Sequence, residues 1–259
     1  MIKAHKISAL VFSCFVVLSL MASPSFAAEK TYTNSIGMKF VLIPAGTFLM
    51  GADKNFEKAT QFNSPQHQVT ISKPFYLGIY EVTQEQWHTV MGKNPATFKG
   101  RHNPVEKVSW NDVQSFIQAL NKKEGHNRYR LPTEAEWEHA ARAGTTTVYF
   151  FGHDEKLMGQ YGWYKDNSSE QPHPVGQKQP NPWGVYDMLG NVYEWVQDWG
   201  SPYNDNPSTD PKGPSSGSSH VYRGGSWINV ATDCRSSSRS SYQDRGESNI
   251  GFRLALSPE

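Results

Sequence analysis

The sequence predicts a single α+β domain with little regular secondary structure and many loops. Aromatic residues make up 13% of the chain, which is enough to pin irregular backbone around a core. The 21 glycines and 16 prolines supply many turns. Strand-like stretches are short, and few segments show the apolar period of a helix. These three observations exclude a bundle of long helices.

The N-terminal 27 residues are predicted to be a secretory signal peptide. A basic start, Met1–Lys6, precedes an apolar run over Ile7–Met21, and small residues follow up to Ala27. The run is too short for a comfortable membrane span. Cleavage after Ala27 would remove Cys14 and leave a domain over 28–259. We therefore expect a periplasmic or secreted protein that is not integral to the membrane.

The charge of the mature chain is close to neutral. Without Lys3 and Lys6 it carries 23 basic and 24 acidic residues, and the basic residues form no stripe. A nucleic-acid partner is therefore not expected. Cys234 would be the only cysteine left after cleavage, so no internal disulfide can form.

The first half of the domain is predicted to contain strands and then a short helix. Met38–Gly51 holds two strand-like stretches around a Pro-Ala-Gly turn, and His67–Thr83 alternates as a strand does. The segment Val82–Met91 favours a helix, with Thr83 as its N-cap.

Two further segments give the clearest helix predictions. Ser109–Lys123 carries four apolar residues at helical spacing: Val113, Phe116, Ile117 and Leu120. Leu131–Gly144 has a capping box formed by Thr133 and Glu136, and we expect Gly144 to end the helix on its inner face. Ser201–His220 predicts a polar loop, and Ser248–Leu256 predicts a closing strand.

Eight segments carry a resemblance to a known family. In chain order they are IPAGTFLMG, PFYLGIYEVTQEQW, NPVEKVSWNDVQSF, YRLPTEAEWEHAARAG, GVYDMLGNVYEWVQDW, DPKGP, RGGSW and SNIGFRLAL. Together they resemble the formylglycine-generating enzyme family, also called the sulfatase-modifying-factor domain. The resemblance implies one compact domain related to C-type lectins.

The functions that this resemblance implies are diverse, since one fold hosts several activities. Some members are copper oxidases that convert a sulfatase cysteine to formylglycine. Others resemble iron-dependent sulfoxide synthases, one periplasmic branch helps to mature the siderophore pyoverdine, and still others are binding or regulatory proteins. Only the site residues can separate these classes.

The residues after Gly224-Gly225-Ser226 argue against the copper chemistry. The resemblance implies two cysteines there, because Cu(I) favours a pair of soft thiolates. Counting forward from the glycines puts these positions at Asn229 and Cys234, and counting back from the C-terminus shifts Cys234 by a few residues. Both counts lack the pair, so copper is not expected. Cys234 and Ser226 remain the candidate catalytic residues, but a free cysteine is usually a small buried hydrophobic side chain, and this interpretation is favoured for Cys234.

The histidines do not predict an iron site. The sulfoxide synthases use an H-x3-H-x-E-type arrangement, and no such spacing occurs in this sequence. The motif therefore does not support iron, and the alternative is a set of non-adjacent histidines that converge in space.

A structural calcium site is predicted around the Gly190-Asn191 turn. Asp187 and Glu194 flank this turn and offer the hard oxygen ligands that Ca²⁺ prefers. The resemblance implies the full set, with two carbonyls added: Asp187, Gly190, Val192, Glu194 and Glu81. A second site would fall near 161–175, where Asp166 and Asn167 are possible ligands.

The resemblance also implies a substrate cleft, lined here by Ser226, Trp227, Tyr193, Asn229 and Arg239. Three functions stay open at this point. The first is an exported oxidoreductase-like maturation factor that acts on a peptide-derived substrate without the cysteine pair. The second is a non-catalytic, calcium-stabilised binding or regulatory module that contacts a protein of the cell envelope. The third is a sulfatase-maturing formylglycine generator that uses one cysteine.

Overall fold

The structure is a computed structural model that describes Met1 and residues 30–57 and 59–257. The proposed signal peptide lies outside the described residues. The predicted α+β class is confirmed, and the elements are short. The strands are β1 (Thr31–Thr33), β2 (Lys39–Ile43), β3 (Gly46–Met50), β4 (His67–Ile71), β5 (Phe75–Gly78), β6 (Tyr129–Arg130), β7 (Tyr193–Trp199), β8 (Ser208–Thr209), β9 (His220–Arg223), β10 (Arg239–Tyr242), β11 (Ile250–Gly251) and β12 (Ala255–Leu256). The α-helices are α1 (Gln84–Met91), α2 (Trp110–Glu124), α3 (Glu134–Arg142) and α4 (Met158–Tyr161).

The strands form three sheets. An antiparallel sheet has the order β1-β2-β5-β12-β6, and a second has the order β10-β9-β7-β11, with β11 parallel to β7. The third sheet, β3-β4-β8, is the smallest. The turn at Pro44 and Ala45 therefore does not make a hairpin, because β2 and β3 enter different sheets. None of the helices in the described residues has the length and apolar character needed to cross a bilayer.

The helix starts agree with the sequence. Thr83, Ser109 and Thr133 each accept a hydrogen bond from the backbone of the third helical residue, and the side chain of that residue returns the bond. The predicted end of α3 was wrong by one residue. Ala143 adopts the left-handed cap with φ 47° and donates its N–H to the His139 carbonyl, while Gly144 is exposed rather than on the inner face.

Two apolar clusters form the core. One packs the inner face of α3, including Trp137 and Ala140, against the sheets, and the other surrounds α1 and α2. In the second cluster Trp87 stacks on Phe116 with ring centroids 5.1 Å apart, and Phe252 meets both rings edge-on. Such aromatic contacts stabilise a domain that has little regular structure.

The predicted closing strand is two short strands instead of one. Residues 250–251 pair with β7, and residues 255–256 insert between β5 and β6. Arg253 lies between the two strands and is fully buried. Its ion pair with Glu194, described below, holds the segment between β11 and β12 beside the candidate site.

Candidate functional site

Two loops that the sequence singled out meet in the structure. The loop after β9 turns through Gly224 and Gly225, which have φ of 99° and 75°, values that glycine adopts without strain. The Gly224 carbonyl accepts from Gly190 N–H at 2.8 Å, and the Asn191 carbonyl accepts from Trp227 N–H at 2.8 Å. These bonds join the loop after β9 to the turn that precedes β7.

Ser226 lies at the centre of a small polar cluster. Its hydroxyl is fully buried and lies 2.5 Å from the Asn229 amide oxygen, and it accepts from the Asn249 amide at 3.3 Å. The hydroxyl proton is therefore donated to an amide oxygen, which is not a base. A serine nucleophile needs an adjacent general base to be activated. The structure thus gives Ser226 a hydrogen-bonding role in this arrangement.

Aromatic rings stand beside this polar cluster. The Trp227 ring packs edge-on against Phe98 at 5.3 Å, and its indole N–H donates to the Ser248 carbonyl. Tyr193 packs against Tyr222 at 4.7 Å, and burial raises the pKa of its hydroxyl. The predicted residues Ser226, Trp227, Asn229 and Tyr193 therefore do come together.

The surface over this cluster is apolar. Ile228 and Val230, on either side of Asn229, expose 53% and 43% of their surface. A backbone hydrogen bond anchors their loop, since the Asn229 carbonyl accepts from Lys165 N–H at 2.9 Å. We call Trp227, Ile228 and Val230 the apolar rim.

Cys234 is sealed inside the core. It is 0% exposed, and a methyl group placed on Gly225 would come within 2.4 Å of its Sγ. Burial raises the pKa of the thiol, and the neighbouring Asp233 adds to the effect. Since the thiolate is the reactive form, Cys234 is in an environment that suppresses nucleophilic chemistry.

Arg239 is placed apart from the polar cluster. Its guanidinium holds Glu134 with bonds of 2.6 and 2.7 Å and donates to the carbonyls of Ser201 and Phe62. It borders a separate cavity of about 180 Å³. Within the described residues, none of its hydrogen bonds reaches Ser226 or Asn229.

An acidic pair lies next to the turn before β7. Glu81 and Asp187 are 1% and 2% exposed, and each has one carboxylate oxygen without a hydrogen-bond partner among the described residues. Burial is the main cause that raises the pKa of both groups, for Asp187 to about 6, and repulsion from Glu194 adds to it. Two buried and incompletely satisfied carboxylates fit a hard cation.

Both carboxylate oxygens of Glu194 have hydrogen-bond partners, unlike those of Glu81 and Asp187. Its two oxygens accept from the Arg253 guanidinium at 2.6 and 2.7 Å, and one of them also accepts from the Trp137 indole at 2.8 Å. Across the described part of the chain, no group of three or more His, Cys, Asp or Glu side chains is arranged to hold a metal ion. The five-residue calcium set thus stays a prediction, with Glu81 and Asp187 as its fitting members.

The backbone of the turn has the predicted tightness. Asp187, Gly190 and Asn191 have positive φ of 55°, 89° and 58°. The Asn191 amide donates to Glu81 at 3.2 Å and accepts from His173 N–H at 2.9 Å. Asn191 therefore links the acidic pair to the neighbouring loop.

The second predicted calcium position lies in a turn that the Asn167 side chain closes with hydrogen bonds. The Asn167 side chain accepts from Tyr164 N–H and donates to the Gly162 carbonyl, so it closes a turn, while Asp166 is exposed. These contacts account for Asn167 without a cation.

Sequence reasoning missed several partners at the site. Asn249 and Phe98 come from distant segments, and no spacing rule links them to Ser226. The Arg253–Glu194 pair was also missed, although an arginine inside an apolar closing segment is a usable signal, since a buried charge requires a partner.

Residues 26–258 match the family model described as sulfatase-modifying factor enzyme 1-like domain. The chain belongs to the formylglycine-generating enzyme family. Among the members of this family, the chaperone protein LppX of Paenibacillus barcinonensis is 30% identical over 263 residues, covering 83% of this chain and 87% of that protein. The formylglycine-generating enzyme of Streptomyces coelicolor is 39% identical over 175 residues, and the match covers 60% of this chain and about half (54%) of that enzyme.

Solved structures show the same family fold. Treponema denticola variable protein 1 has a TM-score of 0.82 and 32% identity, covering 90% of this chain and 100% of that one. PvdO from Pseudomonas aeruginosa has a TM-score of 0.76 and 30% identity, covering 88% and 98%. The fold is therefore the formylglycine-generating enzyme fold, which is related to C-type lectins.

Proposed function

We propose that this chain is an exported binding protein of the formylglycine-generating enzyme family that recognises a polypeptide partner at the apolar rim. The carrying observation is the exposure of Ile228 and Val230, at 53% and 43%, directly beside the buried hydrogen-bonding cluster. Apolar surface around a few placed polar groups is typical of recognition sites. Asn229, between the two, accepts from the Ser226 hydroxyl and donates to the Asp233 carboxylate at 3.5 Å, so the orientation of its side chain is fixed.

The state of the two candidate nucleophiles supports binding over chemistry. The Cys234 thiol is buried with a raised pKa, and the hydroxyl of Ser226 is hydrogen-bonded to amide groups. The name of one relative, a chaperone protein, also supports a role in holding other proteins.

Export is part of this proposal. We expect the signal peptide to be removed after Ala27 and the mature protein to act in the periplasm or outside the cell. N-terminal sequencing of the secreted protein tests this, and a sequence that still begins at Met1 would contradict it.

A photo-crosslinker at the apolar rim is expected to capture the partner. We expect benzoyl-phenylalanine in place of Ile228 to give one discrete adduct in cells of the native host. The same substitution at Leu49, an apolar residue 46% exposed on β3, is the matched control and should give none. Val230→Asp should lower the adduct yield about tenfold, because a charge at an apolar contact costs roughly 1–3 kcal/mol. Equal adducts at both positions would contradict the proposal.

The second candidate function is an oxidoreductase-like maturation factor. The retained cluster of Ser226, Asn229 and Asn249 could position a polar group of a peptide-derived substrate, and the similarity to PvdO supports this reading. Oxygen uptake should be followed with a cysteine-containing sulfatase-type peptide and with a phenolic peptide. Turnover that survives Cys234→Ala would favour this candidate, whereas turnover lost in that variant would favour a one-cysteine formylglycine generator.

A calcium ion with a structural role completes the proposal. Glu81 and Asp187 would be its side-chain ligands, and the carbonyls of Gly190 and Val192 would add neutral oxygens. Glu194 lies beside this pair, but its oxygens accept hydrogen bonds from Arg253 and Trp137. The ion would neutralise two buried carboxylates and hold the turn that carries Asn191.

Calcium is expected to raise the melting temperature of the purified protein. A ligand at 100 times its Kd adds about 2.7 kcal/mol, which corresponds to about 5–10 °C for a domain of this size. Differential scanning calorimetry in calcium and in a chelator measures this difference. In the Glu81→Gln/Asp187→Asn variant the difference should vanish, and the variant in chelator should melt above wild type in chelator. An equal calcium effect in the variant would show that the ion binds elsewhere.

A further inference from the structure

A large cleft lies away from the apolar rim. It has a volume of about 850 Å³ and is bordered by the end of β4, the start of β5 and the segment that leads into α3. Ile71, Phe75 and Leu131 form part of its lining, and the loop at Lys212 closes one side. The cleft shares no lining residue with the polar cluster around Ser226. Its volume is in the range of pockets that bury whole ligands.

The acidic groups of the cleft are already paired. Asp210 accepts from the backbone N–H and the hydroxyl of Ser72 at 2.8 and 2.5 Å. Glu136 binds both terminal nitrogens of Arg130 at 2.6 and 2.7 Å and also accepts from Thr133 N–H. These carboxylates therefore have little capacity left to attract a cationic ligand.

Two lysines of the lining remain unpaired. Lys73 and Lys212 are exposed, and neither forms a hydrogen bond or an ion pair within the residues that the structure describes. Hydrogen bonds from Ser72 are the main cause of the lowered pKa of Asp210, and both lysines add to it through their charge. Lys73 follows Ser72, which bonds to Asp210, and Lys212 lies two residues after Asp210, so both lysines stand near this carboxylate. Lys73, Arg130 and Lys212 against Glu136 and Asp210 give the lining a net charge of +1.

We propose that this cleft binds a short acidic peptide segment of a partner protein. Its apolar side chains would lie on the lining near Phe75 and Leu131, and its carboxylates would meet Lys73 and Lys212. Two separate ammonium groups on an open rim match several carboxylates spaced along a chain better than the single headgroup of a fatty acid. This site stands whether or not the apolar rim binds a partner.

A defined peptide pair tests the cleft. The probe is an acetylated and amidated peptide of alternating glutamate and leucine, and the control peptide has glutamine in place of glutamate. Binding to the mature protein is measured by isothermal titration calorimetry at low salt. We expect the acidic peptide to bind at least tenfold more tightly than the neutral one, and the difference to shrink as salt screens the lysines.

Matched variants locate the binding. Lys73→Gln/Lys212→Gln should weaken binding of the acidic peptide about tenfold. Each exposed charge contact changes the affinity by up to severalfold, and the effects of the two lysines multiply. Lys122→Gln/Lys123→Gln removes the same charge from an exposed part of α2 and should change nothing. Ser257→Phe places a ring in the cleft and should weaken both peptides.

Three results would overturn the proposal. They are the absence of measurable binding by the acidic peptide, equal effects of the two lysine double variants, and binding of octanoate in the cleft with a higher affinity than the acidic peptide. The last result would assign the cleft to small amphiphilic anions.

Discussion

Arg253→Leu is expected to lower the free energy of unfolding by about 3–5 kcal/mol, the usual cost of removing one partner of a buried ion pair. Arg253 and Glu194 are 0% and 1% exposed at their side chains. Without the guanidinium, Glu194 would share the core with Glu81 and Asp187 and would lose the donor of two of its hydrogen bonds. The carbonyls of Gly78 and Tyr186 would also lose a donor. Urea denaturation monitored by tryptophan fluorescence at pH 8 in a chelator measures the loss.

Arg245→Leu is the matched control for this experiment. It removes an arginine from an ion pair with Glu247 whose side chains are 68% and 40% exposed. Water replaces such a pair, so the stability should not change measurably. The loss in Arg253→Leu should also shrink in a Glu81→Gln/Asp187→Asn background, because fewer buried charges then depend on the guanidinium. An equal loss in both backgrounds would show that the acidic pair does not depend on Arg253.

Asp198→Asn is expected to remove a pH-dependent part of the stability that amounts to as much as roughly 4 kcal/mol. Asp198 is 5% exposed and accepts from Glu134 N–H at 2.8 Å. Burial, and then repulsion from Glu134, raises its pKa to about 7 from an ordinary value of 3.8. The folded state thus holds a proton on Asp198 at pH values where the unfolded chain has released it.

The sign of the effect follows from this proton. A carboxyl group with a raised pKa adds its full stability below pH 3.8 and loses it as the pH rises through about 7. The stability of wild type minus that of Asp198→Asn should therefore fall between pH 4 and pH 7 and level off above. Denaturation curves at pH 4.5, 6, 7 and 8 give this difference directly. A flat line for Asp198→Asn would refute the buried-acid argument.

The helices were predictable because their signals are local. Thr83, Ser109 and Thr133 each stand three residues before a side chain that completes a capping box, and this can be read without tertiary structure. The end of α3 was missed for a related reason. Gly144 is the better residue for a left-handed cap, yet the chain uses Ala143, because the bond to the His139 carbonyl closes the turn one residue earlier.

The sheets were less predictable because their partners are distant. The local pattern of Met38–Gly51 does not indicate that its two strands belong to different sheets. The break in the closing strand depends on Arg253, whose place is set by Glu194, 59 residues earlier. Two-residue strands also carry too little alternation to be recognised alone.

The proximity of four predicted site residues could be inferred from the sequence, whereas a substrate cleft at these residues stays a prediction. Ser226, Trp227, Asn229 and Tyr193 were expected to share a cleft, and the structure brings them together. Arg239 was grouped with them on the basis of the family resemblance, but its guanidinium forms an ion pair with Glu134 on α3. The burial of Cys234 agrees with the interpretation favoured from the sequence, but its close contact with Gly225 could not be inferred.

The position of β12 has a consequence for how the protein is made. This strand of Ala255–Leu256 lies inside the five-stranded sheet, between β5 and β6, and pairs with Leu77, 178 residues earlier in the chain. The five-stranded sheet cannot close until Ala255 and Leu256 have left the ribosome, so this sheet forms late in the synthesis of the domain. A chain that ends early keeps two strand edges open, which invites aggregation. Late closure of this sheet leaves more of the chain unfolded during synthesis, and an unfolded chain is the form that the export proposed above would require.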